Sequence, residues 1–390
     1  MSMLSGTARP FPASRGARAA GVVQGRWPEL KPTSAHLAVG LSGEQVLTLV
    51  PDAGEPLVEF VGRLSTRLKQ RVGEVLMVMA YGSVGAHAAV MDQLRRELGA
   101  IDWPVLWVEG ASCIDAPVAG FQVFILPEGK VERLRLDGRV VGTVFHDGGA
   151  RHCLLAGLTP SDGSRSRAEQ CEQFFGSVAS VLVEAGFSYG DIARTWFYND
   201  EILAWYDDFN RVRTAFYAKQ KFTTGSLPAS TAVLGRNPGG TALTFAAWAV
   251  VPAAPGATVR EVASPLQCPA PAYGSSFSRA MEISSGGRKR LLVSGTASIE
   301  PGGKTVWQGD TAKQIALTME VVEAMLRPSG LSFGDVTRAT AYFKHAADQT
   351  ILQSWLDANG LAGMPVVPVH CDICRDDLLF EIELDACASV

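Results

Sequence analysis

Arg375-Asp376-Asp377-Leu378-Leu379-Phe380-Glu381-Ile382-Glu383-Leu384-Asp385-Ala386 reads as an apolar strand with a carboxylate at every second position near its end. Side chains alternate across a strand, so Glu381, Glu383 and Asp385 share one face. A face that carries acids where a sheet would bury Leu or Val is either wetted by solvent or lines a polar pocket. Inside a pocket, shielding from water raises a carboxyl pKa and suits it to general-acid work at neutral pH. Alternation alone leaves both readings open.

The segments before this strand form an ordered series. Leu291–Ser298 is a strand running into a small-residue turn, and Gly309-Asp310 precedes a helix expected over Thr311–Leu326, where Ile315, Leu317, Val321, Val322, Met325 and Leu326 cluster at helical spacing. Gly330-Leu331-Ser332-Phe333-Gly334-Asp335-Val336 is a stop and turn, and Thr337–Phe343 is a strand. This series, ending in Cys374-Arg375-Asp376-Asp377-Leu378-Leu379-Phe380-Glu381-Ile382-Glu383, resembles the RidA/YjgF family over residues 268–388. The resemblance implies an α+β fold, a mixed sheet packed on two helices.

The pattern occurs twice. Gly186-Phe187-Ser188-Tyr189-Gly190-Asp191-Ile192-Ala193-Arg194 mirrors Gly330–Arg338, and Tyr198 mirrors Tyr342, at a spacing of 144 residues. Leu154-Leu155-Ala156-Gly157 mirrors Leu292-Val293-Ser294-Gly295. Leu243–Trp248 mirrors the acidic strand, which aligns Phe245 with Phe380, Ala246 with Glu381 and Trp248 with Glu383. A solvated row would stay polar in both copies, so the asymmetry favours one working pocket at Glu381.

Simple RidA proteins also need the arginine of a Pro-Ala-Arg-Ser segment to hold a carboxylate. The comparable segments here, Pro228-Ala229-Ser230-Thr231 and Pro365-Val366-Val367-Pro368, lack it. The tandem arrangement, Arg194-Thr195-Trp196-Phe197-Tyr198, the Trp205–Arg213 helix, Tyr273-Gly274-Ser275-Ser276-Phe277-Ser278-Arg279-Ala280 and the Cys374–Glu383 ending resemble the chorismatases from about residue 150 onward. His370-Cys371-Asp372-Ile373-Cys374 and the long upstream region resemble the branch that makes 3- and 4-hydroxybenzoate.

The resemblance implies cleavage of chorismate to pyruvate and 3-hydroxybenzoate, 4-hydroxybenzoate or a non-aromatic diene acid, with no metal and no cofactor. Chorismate carries an enol ether and two carboxylates, so its cleavage calls for one acid and cationic anchors. Glu381 is the expected acid. Arg375, Arg279, Arg213 and Arg194 are candidate anchors, because a guanidinium fork binds a carboxylate bidentately. Tyr273 and Tyr198 are candidate hydroxyl donors, with core packing as the alternative for Tyr198, and Cys374 is expected to line the pocket and shape the product. Two other readings stand beside this one: an enamine or imine hydrolase of the same fold, and a non-catalytic small-molecule binding module.

The Cys371/Cys374 pair lacks a second Cys pair at zinc-ribbon spacing, so no metal site is read from it. Net charge is -4, and this balance recommends no nucleic-acid partner. No apolar run approaches the roughly 20 residues of a membrane helix. Seven cysteines without a secretion signal fit a reducing compartment, and a cytoplasmic location is expected.

The chain is long enough for several lobes. Residues 1–28, with Arg9, Arg15, Arg18 and Arg26 and no acid, are expected to be a disordered tail. Residues 29–145 form an N-terminal lobe, with an amphipathic helix near Glu55–Gln70 and strands in Glu74–Ala80, Trp103–Val108 and Phe121–Leu126. A degenerate lobe follows over 146–255, then a linker at Val251–Pro271, then the catalytic lobe over 268–390. RidA-like proteins form trimers with pockets between subunits, and three lobes in one chain would imitate such a trimer. Whether the lobes pair within one chain or across a homo-oligomer is open at this stage.

Overall fold

The computed structural model describes residues 44–390 and the backbone of one strand at 35–38. The tail expected over 1–28 lies outside the described residues. The first sheet runs β1-β2-β6-β3-β4, from β1 (Ala35–Ala38), β2 (Gln45–Leu49), β3 (Glu74–Gly82), β4 (Val105–Val108) and β6 (Val118–Leu126). Helices α1 (Leu57–Gln70) and α2 (His87–Leu98) flank β3 in sequence, and the short β5 (Ala111–Ser112) leaves this sheet to pair elsewhere. The second sheet runs β11-β10-β12-β9-β8-β7, from β7 (Val131–Leu136), β8 (Arg139–Asp147), β9 (Ala150–Leu158), β10 (Ile192–Asn199), β11 (Ala229–Leu234) and β12 (Leu243–Pro252), with α3 (Arg167–Glu184) and α4 (Ile202–Tyr217). The third runs β13-β14-β15-β18-β16-β17-β5, from β13 (Thr258–Val262), β14 (Ala280–Ser285), β15 (Arg288–Ala297), β16 (Val336–Phe343), β17 (Val366–His370) and β18 (Phe380–Ser389), with α5 (Thr311–Leu326) and α6 (Gln349–Ala358).

One topology therefore occurs three times. In each lobe a first strand pairs antiparallel with the last, the last pairs antiparallel with a middle strand, and the middle strand pairs parallel with its follower. Each middle strand carries a bulge at the same place, at Val75/Met77, Ile192/Arg194 and Val336/Arg338. Past the bulge, Tyr81, Tyr198 and Tyr342 occupy corresponding positions and meet. The Tyr198 hydroxyl is 3.0 Å from that of Tyr81 and 3.1 Å from that of Tyr342.

The inner faces of the three sheets share one core, with Tyr81, Trp196, Tyr198, Trp248, Leu292 and Tyr342 among its members. The outer faces are covered by each lobe's own helices, as where Ile315, Met319 and Val322 of α5 pack on Phe380, Ile382 and Leu384 of β18. Helix starts follow the sequence. Ser166 and Glu169 form a reciprocal capping box at α3, and the Asp310 side chain caps α5 by accepting from the Lys313 amide. The mirrored Gly-x-Ser motifs are tight turns in which Asp191 accepts from Ser188, and Asp335 from Ser332, through backbone N–H and hydroxyl.

Three expectations are corrected by the pairing. The second sheet begins at Val131 rather than 146, because the β7–β8 hairpin joins it through β8 to β9. The stretch expected as a linker contains β13, an edge strand paired with β14. The repeat alignment shifts by two positions. Arg194 faces Trp248 while Arg338 faces Asp385, and Leu154 faces Trp248 while Leu292 faces Asp385. Trp248 thus corresponds to Asp385, Ala246 to Glu383 and Thr244 to Glu381. The asymmetry survives the shift, since none of the three positions in the middle lobe is a carboxylate.

Candidate active site between the middle and C-terminal lobes

The acidic strand faces inward. Its other face is covered by α5, so the alternation that packs Phe380 and Ile382 under the helix turns Glu381, Glu383 and Asp385 toward the middle lobe, each buried (5%, 0% and 2% exposed). Glu381 opens onto a cleft. The middle lobe supplies Tyr206 and Arg213 from α4 and Ser230 and Ala232 from β11, and the C-terminal lobe supplies the opposite wall. The two lobes are stitched beside it. The Ser230 amide donates to Ser294 Oγ (2.8 Å), Ser294 Oγ donates to the Ser278 carbonyl (2.6 Å), and the Gly295 amide donates to Thr231 Oγ1 (3.1 Å).

Glycine at 295 is a geometric requirement. The β15–β18 register shifts between Val293 and Thr296, and a Cβ on Gly295 would lie 2.0 Å from Glu381 Oε1. The carboxyl therefore rests against bare backbone. Burial and the neighbouring charge of Glu383 push its pKa up to about 8, against the opposing pull of Arg194, Arg279 and Arg375. At neutral pH Glu381 is mostly protonated, a proton donor lining an open cleft.

Three guanidiniums line the same cleft, and none is paired with a carboxylate among the described residues. Arg213 lies over Phe209 (5.0 Å) and donates to Asn210 Oδ1 (2.7 Å) and Ser230 Oγ (3.5 Å), while its buried Nε has no partner. Arg279 donates twice to the Cys268 carbonyl (2.9 and 3.1 Å) and lies 5.4 Å from the Tyr273 ring. Arg375 donates to the Gly303 carbonyl (2.7 Å) and lies 5.4 Å from the same ring. The alternative of an Arg375 pair with its acidic neighbours fails: Asp376 binds Lys344, and Asp377 accepts from Thr305 and Gln308. Arg213 and Arg279 are buried and Arg375 is half-buried; buried cations without counter-ions are costly unless an anion arrives, so the cleft suits an anionic ligand.

Glu381, Arg375, Arg279, Arg213, Tyr273 and Cys374, all candidates from the sequence, line this one cleft. Burial and Glu381 push the Cys374 thiol up to about 12, so it is neutral. Two candidates are displaced. Tyr198 is buried in the tyrosine cluster, outside the cleft lining, because strand alternation turns it to the molecular centre. Arg194 also lies outside the lining, where it donates to Glu383 and Thr231. Sequence reasoning missed Tyr206, Ser230 and Gly295 as lining residues, although all three sit inside motifs that it quoted. Among the described residues no three His, Cys, Asp or Glu side chains come together to hold a metal.

Residues 269–388, the lobe that carries Glu381, match the family model described as Endoribonuclease L-PSP. More particularly, the chain is chorismatase-like. It is 28% identical over 268 residues to the 3-hydroxybenzoate synthase of Streptomyces hygroscopicus, covering 62% of this chain and 75% of that one. It is 29% identical over 220 residues to the chorismatase of Streptomyces rapamycinicus, covering 50% of this chain and 64% of that relative. A crystal structure of a chorismatase shares the fold with a TM-score of 0.63 and 20% identity, over 89% of this chain and 100% of that one.

Proposed function

We propose that the protein cleaves chorismate to pyruvate and 3-hydroxybenzoate, 4-hydroxybenzoate or both, with Glu381 as general acid and without a metal or cofactor. The observation that carries this reading is a buried Glu381, its pKa pushed up by burial, on a cleft lined by three arginines with no carboxylate partner among the described residues. Chorismate presents two carboxylates to such cations and an enol ether to such an acid. Arg213 on one wall and Arg279 and Arg375 on the other anchor the carboxylates, and Tyr206 and Tyr273 orient the ring. Glu381 transfers its proton to the enolpyruvyl methylene carbon, leaving an oxocarbenium ion. Capture by water followed by cleavage of the ether C–O bond releases pyruvate and the diene acid; capture by a ring hydroxyl returns that hydroxyl's proton to Glu381 and gives a cyclic ketal, from which pyruvate leaves as a ring C–O bond breaks and a ring C–H proton is lost, to end on the phenol oxygen. Formation of a hydroxybenzoate plus pyruvate accounts for every atom of chorismate, whereas release of a diene acid consumes one water. The neutral Cys374 thiol in the wall shapes which oxygen attacks. The similarity to a 3-hydroxybenzoate synthase and a chorismatase supports the substrate class.

The test is incubation of the purified protein with chorismate. Pyruvate is followed by a coupled assay and aromatic products by chromatography against a no-enzyme control. Pyruvate with a hydroxybenzoate is the expected result, unchanged after exhaustive chelation. No turnover by folded protein would overturn the reading.

A further inference from the structure

Glu383 lies two residues along from Glu381 on the same face, yet the two carboxylates have different partners. Both oxygens of Glu383 are saturated. Arg338 donates to each (2.9 Å and 2.9 Å), and Trp196 Nε1 (2.6 Å) and Arg194 donate to Oε2. Glu381 has no ion pair among the described residues, although Arg194 belongs to the strand that faces it across the lobe boundary. Asp385 is bound by Arg338 as well (2.6 Å). Arg338, Asp385, Trp196 and Arg194 are all fully or almost fully buried, so no water competes for these groups. The cluster lies directly behind the acid, and the function described above makes no use of it.

We infer that Glu383 is a positioning residue: by engaging Arg194 it denies Glu381 an ion pair, so that Glu381 carries its proton into the cleft. This rests on the reading of Glu381 as the acid. Glu383 itself is pulled up by burial but more strongly down by Arg338 and Arg194, to about 2, so it keeps its negative charge throughout the working range. The other groups that act on Glu381 pull in both directions. Arg194 from β10 and Arg279 and Arg375 from the cleft wall favour its ionised form. Cys371, Cys374 and Tyr206 beside it are kept neutral by burial. The Glu383 charge pushes the Glu381 pKa up, and its removal also frees Arg194, while Arg338 stays held by Asp385 and Gln122.

The test reads the infrared C=O band of a protonated carboxylic acid against pH, as the difference between a protein and its Glu381→Gln counterpart. In the wild type the band is expected to persist to about pH 8. In Glu383→Gln it is expected to vanish roughly one to three pH units lower, whereas Glu383→Asp, which keeps the charge, holds it near the wild-type position. Should Glu383→Gln fail to fold, Glu383→Gln combined with Arg338→Gln preserves the net charge of the cluster, and a smaller downward shift is expected, because Arg194 is still freed. Unmoved titration in a folded variant overturns the role of Glu383. Absence at neutral pH of any band that depends on Glu381 overturns both this role and the acid assignment. The readout needs no turnover, so a wrong substrate leaves it intact.

Discussion

Glu381 and Glu383 show how little a residue type says about its charge. Both are buried glutamates on one face of one strand, yet one is pushed up to about 8 and the other held near 2. The difference is two arginines. For catalysis the sign follows directly. The proton-bearing form of Glu381 predominates below about pH 8 and is lost above it, so kcat should be level through neutral pH and fall as pH rises through about 8. A steady-state pH profile checks this, and a kcat that climbs through the same range would contradict the acid role. Glu381→Gln should lower kcat by about 10²–10⁴-fold with KM little changed, the usual contribution of a positioned acid. Arg279→Met should raise KM instead, by roughly 10–100-fold, since a charge-assisted hydrogen bond is worth about 1.5–3 kcal/mol. An equal loss in kcat alone would show that Arg279 acts on the transition state rather than on binding.

At the scale of elements, the β15 irregularity and Gly295 create the seat for the acid. Gly295→Ala would place a methyl where Glu381 Oε1 now lies, and the carboxyl, being the mobile end of a side chain, would swing away. A displacement of about 1 Å can cost about 10²-fold in rate. The expectation is a fall in kcat approaching that size with unfolding stability nearly unchanged. A crystal structure of the variant would show the moved carboxyl, and wild-type kcat would refute the seat. α4 contributes similarly. It opens at Glu201 with φ 41° and is kinked at Trp205, and its next turns bring Tyr206 and Arg213 to the cleft.

At the scale of the whole molecule, three lobes of one topology place an acid from the third against cations and polar groups from the second. Arg194 and Glu383 join the two lobes through a buried pair, and breaking such a pair leaves an uncompensated charge. Arg194→Met should therefore destabilise the protein by about 3 kcal/mol, measured by denaturant unfolding. A change near zero would mean that Arg338 alone satisfies Glu383.

Much of this was legible in the chain. The alternation of Phe380–Asp385 determined the two-faced strand, the helical spacing of Ile315–Leu326 determined α5, and the mirrored Ser-x-x-Asp turns revealed two of the lobes. The first lobe was legible as a third lobe but not as a repeat of the mirrored motifs. Its α1–β3 turn lacks that Ser/Asp pair, and topology is held by backbone pairing, which many sequences satisfy. Sequence alone also placed the repeat two positions out of register, because side-chain similarity in a short apolar strand cannot distinguish positions on the same face. Only the ladder to both neighbours does so. Tertiary structure alone decided which arginines are free. Arg194 and Arg213 look alike along the chain, but the first meets Glu383 across the lobe boundary while the second meets only neutral partners. Charge pairing is set by distance through space, and that distance exists only once the lobes have packed.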